Sequence, residues 1–209
     1  MNTSHEKILL DSSAFYTFIR HYKNKIDACY EMNYYYYDTE DMTLIKKNQT
    51  ARLRSIQSKD YKAQWEFRFN NDVIKSQENI ITTNSAFIQL HDAESVITNP
   101  SHLLTAKFLP ETIHQNLKDI PEASLKNVAM FRINRKYLSF GEILIKADEF
   151  VYGKNSFYEI GFNSNNRETA KEKMKEALSS LGISFSFSTL SKLSRVDSFI
   201  PYLDPTKSK

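Results

Sequence analysis

The chain has a single cysteine, Cys29, in 209 residues, which excludes an internal disulfide framework and fits a reducing compartment. Its four glycines and five prolines are too few and too scattered to build a linker, and no compositional break divides the chain. One domain over 1–209 is expected, with a core from about residue 3 to about residue 200 and a tail at 201–209. Charge of one sign is also lacking: 28 basic residues face 25 acidic ones, for a net charge of +3. That balance removes general attraction to nucleic acid or membrane, so long nucleic acid is not an expected partner and any anion site must be local. No apolar run reaches membrane-spanning length, and the Met1 end has no basic-then-apolar segment, so a cytoplasmic location is expected. The five histidines, His5, His21, His91, His102 and His114, have no metal-ligand spacing, and zinc is not expected.

What the chain does have is concentrated between Tyr34 and Ser55. Tyr34 to Tyr37 are strong strand formers, stopped by Asp38-Thr39, whose side chains cap turns by accepting from nearby backbone N–H groups. Farther on, Ala51-Arg52-Leu53-Arg54 alternates, and a strand's period of two puts both arginines on one face. Two neighbouring guanidiniums repel unless solvent or an anion lies between them, and their donors suit phosphate oxygens. A solvated edge strand and an anion site are both compatible with this spacing.

Along the rest of the chain strands dominate. Asp11-Ser12 ahead of Phe15, Phe18, Ile19 and Tyr22 predicts a capped helix over 12–24, preceded by a short strand. Strands are expected over 31–37, 50–56, 63–69 and 72–81, then helices over 100–108 and 110–120. Strand character returns over 128–138, 142–146 and 157–162. Ala170, Met174, Ala177, Leu178 and Leu181 predict a helix over 166–181 stopped by Gly182, with a last strand over 183–188. The expected class is α+β, a closed antiparallel β-barrel of about eight strands with helices packed outside, because closure removes exposed edges.

A barrel turns half of each strand inward. With Arg52 and Arg54 inward, the next strand offers Glu66 and Arg68 on its polar face and sends Trp65 and Phe67 toward the helices. Arg132 and Asn134 form the polar face of Phe131 to Asn134, although Arg135 breaks the alternation. Glu142 with Lys146, and Glu159 with Gly161, are the remaining inward pairs. Several cations with few carboxylates in one lumen are costly to desolvate unless a polyanion or metal occupies it.

With these residues in place, the chain resembles the CYTH-domain proteins, the triphosphate tunnel group of thiamine triphosphatases, inorganic triphosphatases and class IV adenylate cyclases. The family's YYDT, L and LRIR pattern corresponds to Tyr35, Tyr36, Asp38, Thr39, Leu44, Arg52 and Arg54. Its Thr-Leu-Lys strand falls on Glu66-Phe67-Arg68, its YELE strand on Tyr158 to Gly161, and its terminal Lys-x-x-Arg on Lys192 and Arg195. Departures are concentrated in the acids. The opening Glu-x-Glu-x-Lys becomes Thr3, His5 and Lys7; Gly161 replaces a glutamate; Lys146 falls where an aspartate is expected; and 75–79 retains only Glu78.

The resemblance implies phosphate binding by Lys7, Arg52, Arg54, Arg68, Arg132 and Lys192. It implies catalytic roles for Glu66 and Glu159, which with Glu142 would also hold Mg²⁺ or Mn²⁺ if the protein is catalytically active. Two readings follow. One is a tunnel protein that binds a triphosphate or other polyphosphorylated small molecule, with much of the acidic metal site lost; the other is an active, divergent metal-dependent triphosphatase.

Overall fold

A computed structural model describes residues 4–58, 64–71, 83–121, 124–164, 166–188, 192 and 195–196. In chain order the elements are β1 (Ser4–Leu10), α1 (Ser12–His21), β2 (Ile26–Thr39), α2 (Thr43–Lys46), β3 (Gln49–Gln57), β4 (Gln64–Asn71) and β5 (Thr83–Ile88). There follow α3 (Leu90–Thr98), α4 (His102–Thr105), α5 (Glu111–Leu117), β6 (Leu125–Phe140), β7 (Ile143–Tyr152), β8 (Asn155–Ser164), α6 (Arg167–Ser179) and β9 (Ser186–Ser188). The α+β expectation holds. The expected strand over 72–81, together with Thr3, Glu78 and the tail at 201–209, lies outside the described residues.

Closure into a barrel is corrected. The strands run in the order β5-β4-β3-β2-β6-β7-β8-β1-β9, nine rather than about eight, and among the described residues β5 and β9 end the order without pairing to each other. Closure was expected as the remedy for exposed edges, but an edge can also be kept short: β9 has three residues, paired antiparallel with Lys7 to Leu9 of β1. No helix among the described residues is long and apolar enough to cross a membrane.

The chain forms two compact units. The first comprises Met1–Met32, Ser58–Asp60 and Arg132–Leu190. Its core joins Ile8, Ile145, Ile160 and Phe162 of the strands to Phe15 and Phe18 of α1 and Met174 and Leu178 of α6. Each fully buried side chain of this size contributes about 1.5–3 kcal/mol. Asp11 caps α1, accepting from Ala14 N at 2.8 Å, and Asn166 caps α6 through Thr169 N at 3.1 Å.

The second unit comprises Asn33–Gln57, Tyr61–Phe131 and Ser191–Lys209. Leu53, Phe67 and Phe69 of its strands pack against Val96 of α3, Leu103 of α4 and Ile113 and Leu117 of α5. Asp38 organises the exit from β2: Oδ1 accepts from Thr39 N and Leu44 N at 2.8 Å each, and Oδ2 accepts from Ile45 N at 3.0 Å. These bonds satisfy amides that a four-residue helix cannot satisfy itself.

Candidate functional site

In the second unit, strict alternation separates apolar from charged side chains. Leu53 and Phe67 enter the helix-packed core, so Arg52, Arg54, Glu66 and Arg68 share the opposite face. The antiparallel register sets Arg52 across from Arg68 and Arg54 across from Glu66. Glu66, only 2 % exposed, serves both flanking arginines: Arg54 Nε donates to Oε2 at 2.5 Å and Arg68 Nε to Oε1 at 2.7 Å.

Arg52 differs from the other two. Its Nη1 donates to the Tyr36 hydroxyl at 3.2 Å and its guanidinium lies 5.5 Å from the centre of the Tyr34 ring. Among the described residues it forms no ion pair, and its Nε is buried without a hydrogen-bond acceptor. Tyr34 also accepts from Arg54 Nη1 at 3.5 Å. The two tyrosines are fixed in turn by Phe131, whose ring stacks on Tyr34 at 5.1 Å and on Tyr36 at 5.4 Å. Three guanidiniums and one carboxylate therefore leave a local excess of two positive charges on a half-buried face.

The first unit carries a different constellation. Two hairpins, turning at Gly141-Glu142 and Gly153-Lys154, align Arg135 with Asp148 and Asp148 with Glu159 across β6, β7 and β8. Gly141 and Gly153 have φ of +64° and +58°, as such tight turns require. Asp148 is 1 % exposed and Glu159 2 %. Arg135 grips Asp148 through two bonds, Nε to Oδ1 at 2.6 Å and Nη2 to Oδ2 at 2.7 Å. One row further, Gly161 lies between Lys7 of β1 and Lys146 of β7. Because Ile8, Ala147 and Ile160 pack toward the helices, Lys7, Asp148 and Glu159 lie on the other face.

The expected site residues are thus distributed unevenly. Arg52, Arg54, Glu66 and Arg68 are brought together on two adjacent strands, and Lys7 and Glu159 share a face of the first unit. Glu142 is exposed in the turn that precedes β7. Arg132 is exposed, paired with Val151, and has the parity of Asn134 and Leu138; it is Arg135 that stands beside the acidic pair. Apolar rings mislead here, because Phe131 lies beside Tyr34 and Tyr36 instead of marking the helix side. Lys192 is half-buried, its carbonyl accepting from Arg195 N at 3.2 Å.

The strand expected over 142–146 stops short of Asp148. β7 continues to Tyr152, with consecutive buried residues at Ala147 and Asp148 that defeat a period-two reading. Counting outward from the Gly141-Glu142 turn would have paired it with Arg135.

Whether a hard divalent ion fits depends on carboxylates. Among the described residues no group of three or more His, Cys, Asp or Glu side chains is gathered for a metal, but Mg²⁺ is commonly held by one or two carboxylates with water and phosphate oxygens completing its shell. Asp148 and Glu159, in register on adjacent strands, meet that lower requirement. Asp148 and Glu66 alike already have both oxygens accepting from arginine, so either would share its lone pairs between a metal and a guanidinium.

No protein-family model and no curated protein sequence matches the chain. Solved structures do. HpAC1 from Hippeastrum, an adenylyl cyclase candidate with a dominant triphosphatase activity, superposes with a TM-score of 0.78 at 16 % identity, covering 94 % of this chain and 96 % of that one. An adenylate cyclase candidate from Bacillus halodurans gives 0.67 at 20 % identity, covering 94 % and 99 %. The PH1819 protein of Pyrococcus horikoshii OT3 gives 0.55 at 15 % identity, covering 93 % and 98 %. With the antiparallel strand order and outer helices already described, these likenesses identify the chain's fold as that of the CYTH, or triphosphate tunnel, group.

Proposed function

We propose that this protein binds a triphosphate-containing or otherwise polyphosphorylated small molecule, with Arg52, Arg54 and Arg68 as its principal phosphate contacts. The observation that carries this reading is Arg52, a guanidinium with phenol contacts, a buried Nε lacking an acceptor and, among the described residues, no carboxylate at ion-pair distance, although the Glu66 charge acts on it from farther away. Such a group retains donors for an oxyanion, and the two surplus charges of the face favour a polyanion over a neutral ligand. The triphosphatase activity of HpAC1, whose fold this chain resembles, supports the same ligand class. Coverage of 94 % of the chain by that fold is consistent with treating 1–209 as one such domain.

The test is thermal stability with inorganic triphosphate. Binding to the folded state alone raises the melting temperature. A rise in wild type that Arg52→Ala removes is the expected result; no rise in wild type overturns the reading.

The Asp148 and Glu159 pair favours a second reading, a divergent triphosphatase. These residues would hold Mg²⁺ or Mn²⁺, and the ion would supply charge neutralisation at a phosphoryl group. Glu159 and Asp148 would orient that charge from the sheet, while Arg135 holds the Asp148 carboxylate in place. Phosphate release from inorganic triphosphate with either ion, abolished by Glu159→Gln, is its test.

A further inference from the structure

We propose that Glu66 is a built-in counter-ion of the arginine face, a specificity-determining residue that occupies anion-binding donors and opposes an incoming anion in proportion to that anion's charge. The inference rests on the anion-binding reading of that face. Glu66 has the geometry of a bound anion: it is buried, and each oxygen accepts from the Nε of a different arginine, at 2.5 and 2.7 Å. Arg54 and Arg68 have therefore committed a donor each to an internal carboxylate, whereas Arg52 has not. An incoming phosphate meets Arg52 with no carboxylate bonded to it, whereas at Arg54 and Arg68 it must share each guanidinium with Glu66.

Charge makes the consequence specific. A fixed carboxylate repels a ligand in proportion to the ligand's own negative charge, and at side-chain separations the effect survives physiological salt in part. Removing that charge should therefore favour triphosphate more than diphosphate, and diphosphate more than orthophosphate. A role for Glu66 in packing alone has no such ordering.

The experiment is calorimetric titration of wild type and Glu66→Gln with these three inorganic anions, with chelator present and no divalent ion added. Glutamine keeps the shape and one acceptor oxygen and loses the charge. The expected result is tighter triphosphate binding by the variant, on the order of ten-fold, with progressively smaller gains for the shorter anions and a steeper dependence on salt. Unchanged or weaker binding by a folded variant overturns the inference while leaving phosphate binding by wild type intact. Binding by the variant alone supports the counter-ion and overturns the proposed function of wild type; binding by neither overturns both. If Glu66→Gln does not fold, Glu66→Thr is measured in its place, and failure of both to fold also overturns the inference, since the carboxylate is then required by the fold.

Discussion

Asp148 stands directly across from Arg135, and its two oxygens take two donors of one guanidinium at 2.6 and 2.7 Å while 99 % of the residue is hidden from solvent. Removing one member strands the other. Asp148→Ala is expected to destabilise the protein by about 3–5 kcal/mol, whereas the paired replacement Arg135→Met with Asp148→Leu should recover most of that loss. Urea unfolding of wild type and the two variants measures both quantities.

Asp38 belongs to the most recognisable part of the sequence, yet its contacts are local: three backbone amides and, at 3.4 Å, the Thr39 hydroxyl. Asp38→Ala orphans three buried amides, and a loss of about 3 kcal/mol is expected. If triphosphate binding survives in Asp38→Ala at a temperature where it is folded, the residue is a turn organiser and not a ligand contact. Thermal melts with and without triphosphate separate the two.

Tyr37 is 2 % exposed and its hydroxyl has no hydrogen-bond partner among the described residues. Burial raises its ionisation well above the ordinary phenol range, with the neighbouring Tyr35 adding to the effect. Since an unpaired buried hydroxyl costs free energy, Tyr37→Phe is expected to match or exceed wild-type stability by up to about 1 kcal/mol. A fall of that size or more in the urea midpoint would contradict it.

Tyr16 on α1 donates to Glu149 Oε1 at 2.9 Å, and Asn134 Nδ2 donates to the other Glu149 oxygen at 2.9 Å. Burial first, and then this bond and the Glu149 charge, push the Tyr16 phenol up to about 12 from 10.0. The raised value belongs to the folded state, so the stabilisation is complete below pH about 10 and is lost as pH rises toward about 12. Subtracting the alkaline absorbance titration of Tyr16→Phe from that of wild type should leave one phenol ionising near the upper value.

Legibility in the sequence followed the alternation. Arg52, Arg54, Glu66 and Arg68 were readable as one face because Leu53 and Phe67 intervene with period two. The Asp38-Thr39 turn was readable because those side chains have few better uses than bonding local amides. In β6 and β7 the same rule failed, because Phe131 is buried against Tyr34 and Tyr36 and because Asp148 is buried next to Ala147. The pairing of Arg135 with Asp148 was consequently not legible.

What the sequence determined by itself was local: strand periodicity, the cap at Asp11, turn chemistry at Asp38, and two cations on a shared face. These depend on residues within a few positions of one another, and short-range sterics and hydrogen bonding decide them. Tertiary structure decided the rest, namely that the sheet order ends at β5 and β9, that Glu66 lies between two arginines, and that Asp148 meets both Arg135 and Glu159. Those facts depend on register between strands, where a shift of one residue reverses every face and only long-range packing selects among the alternatives.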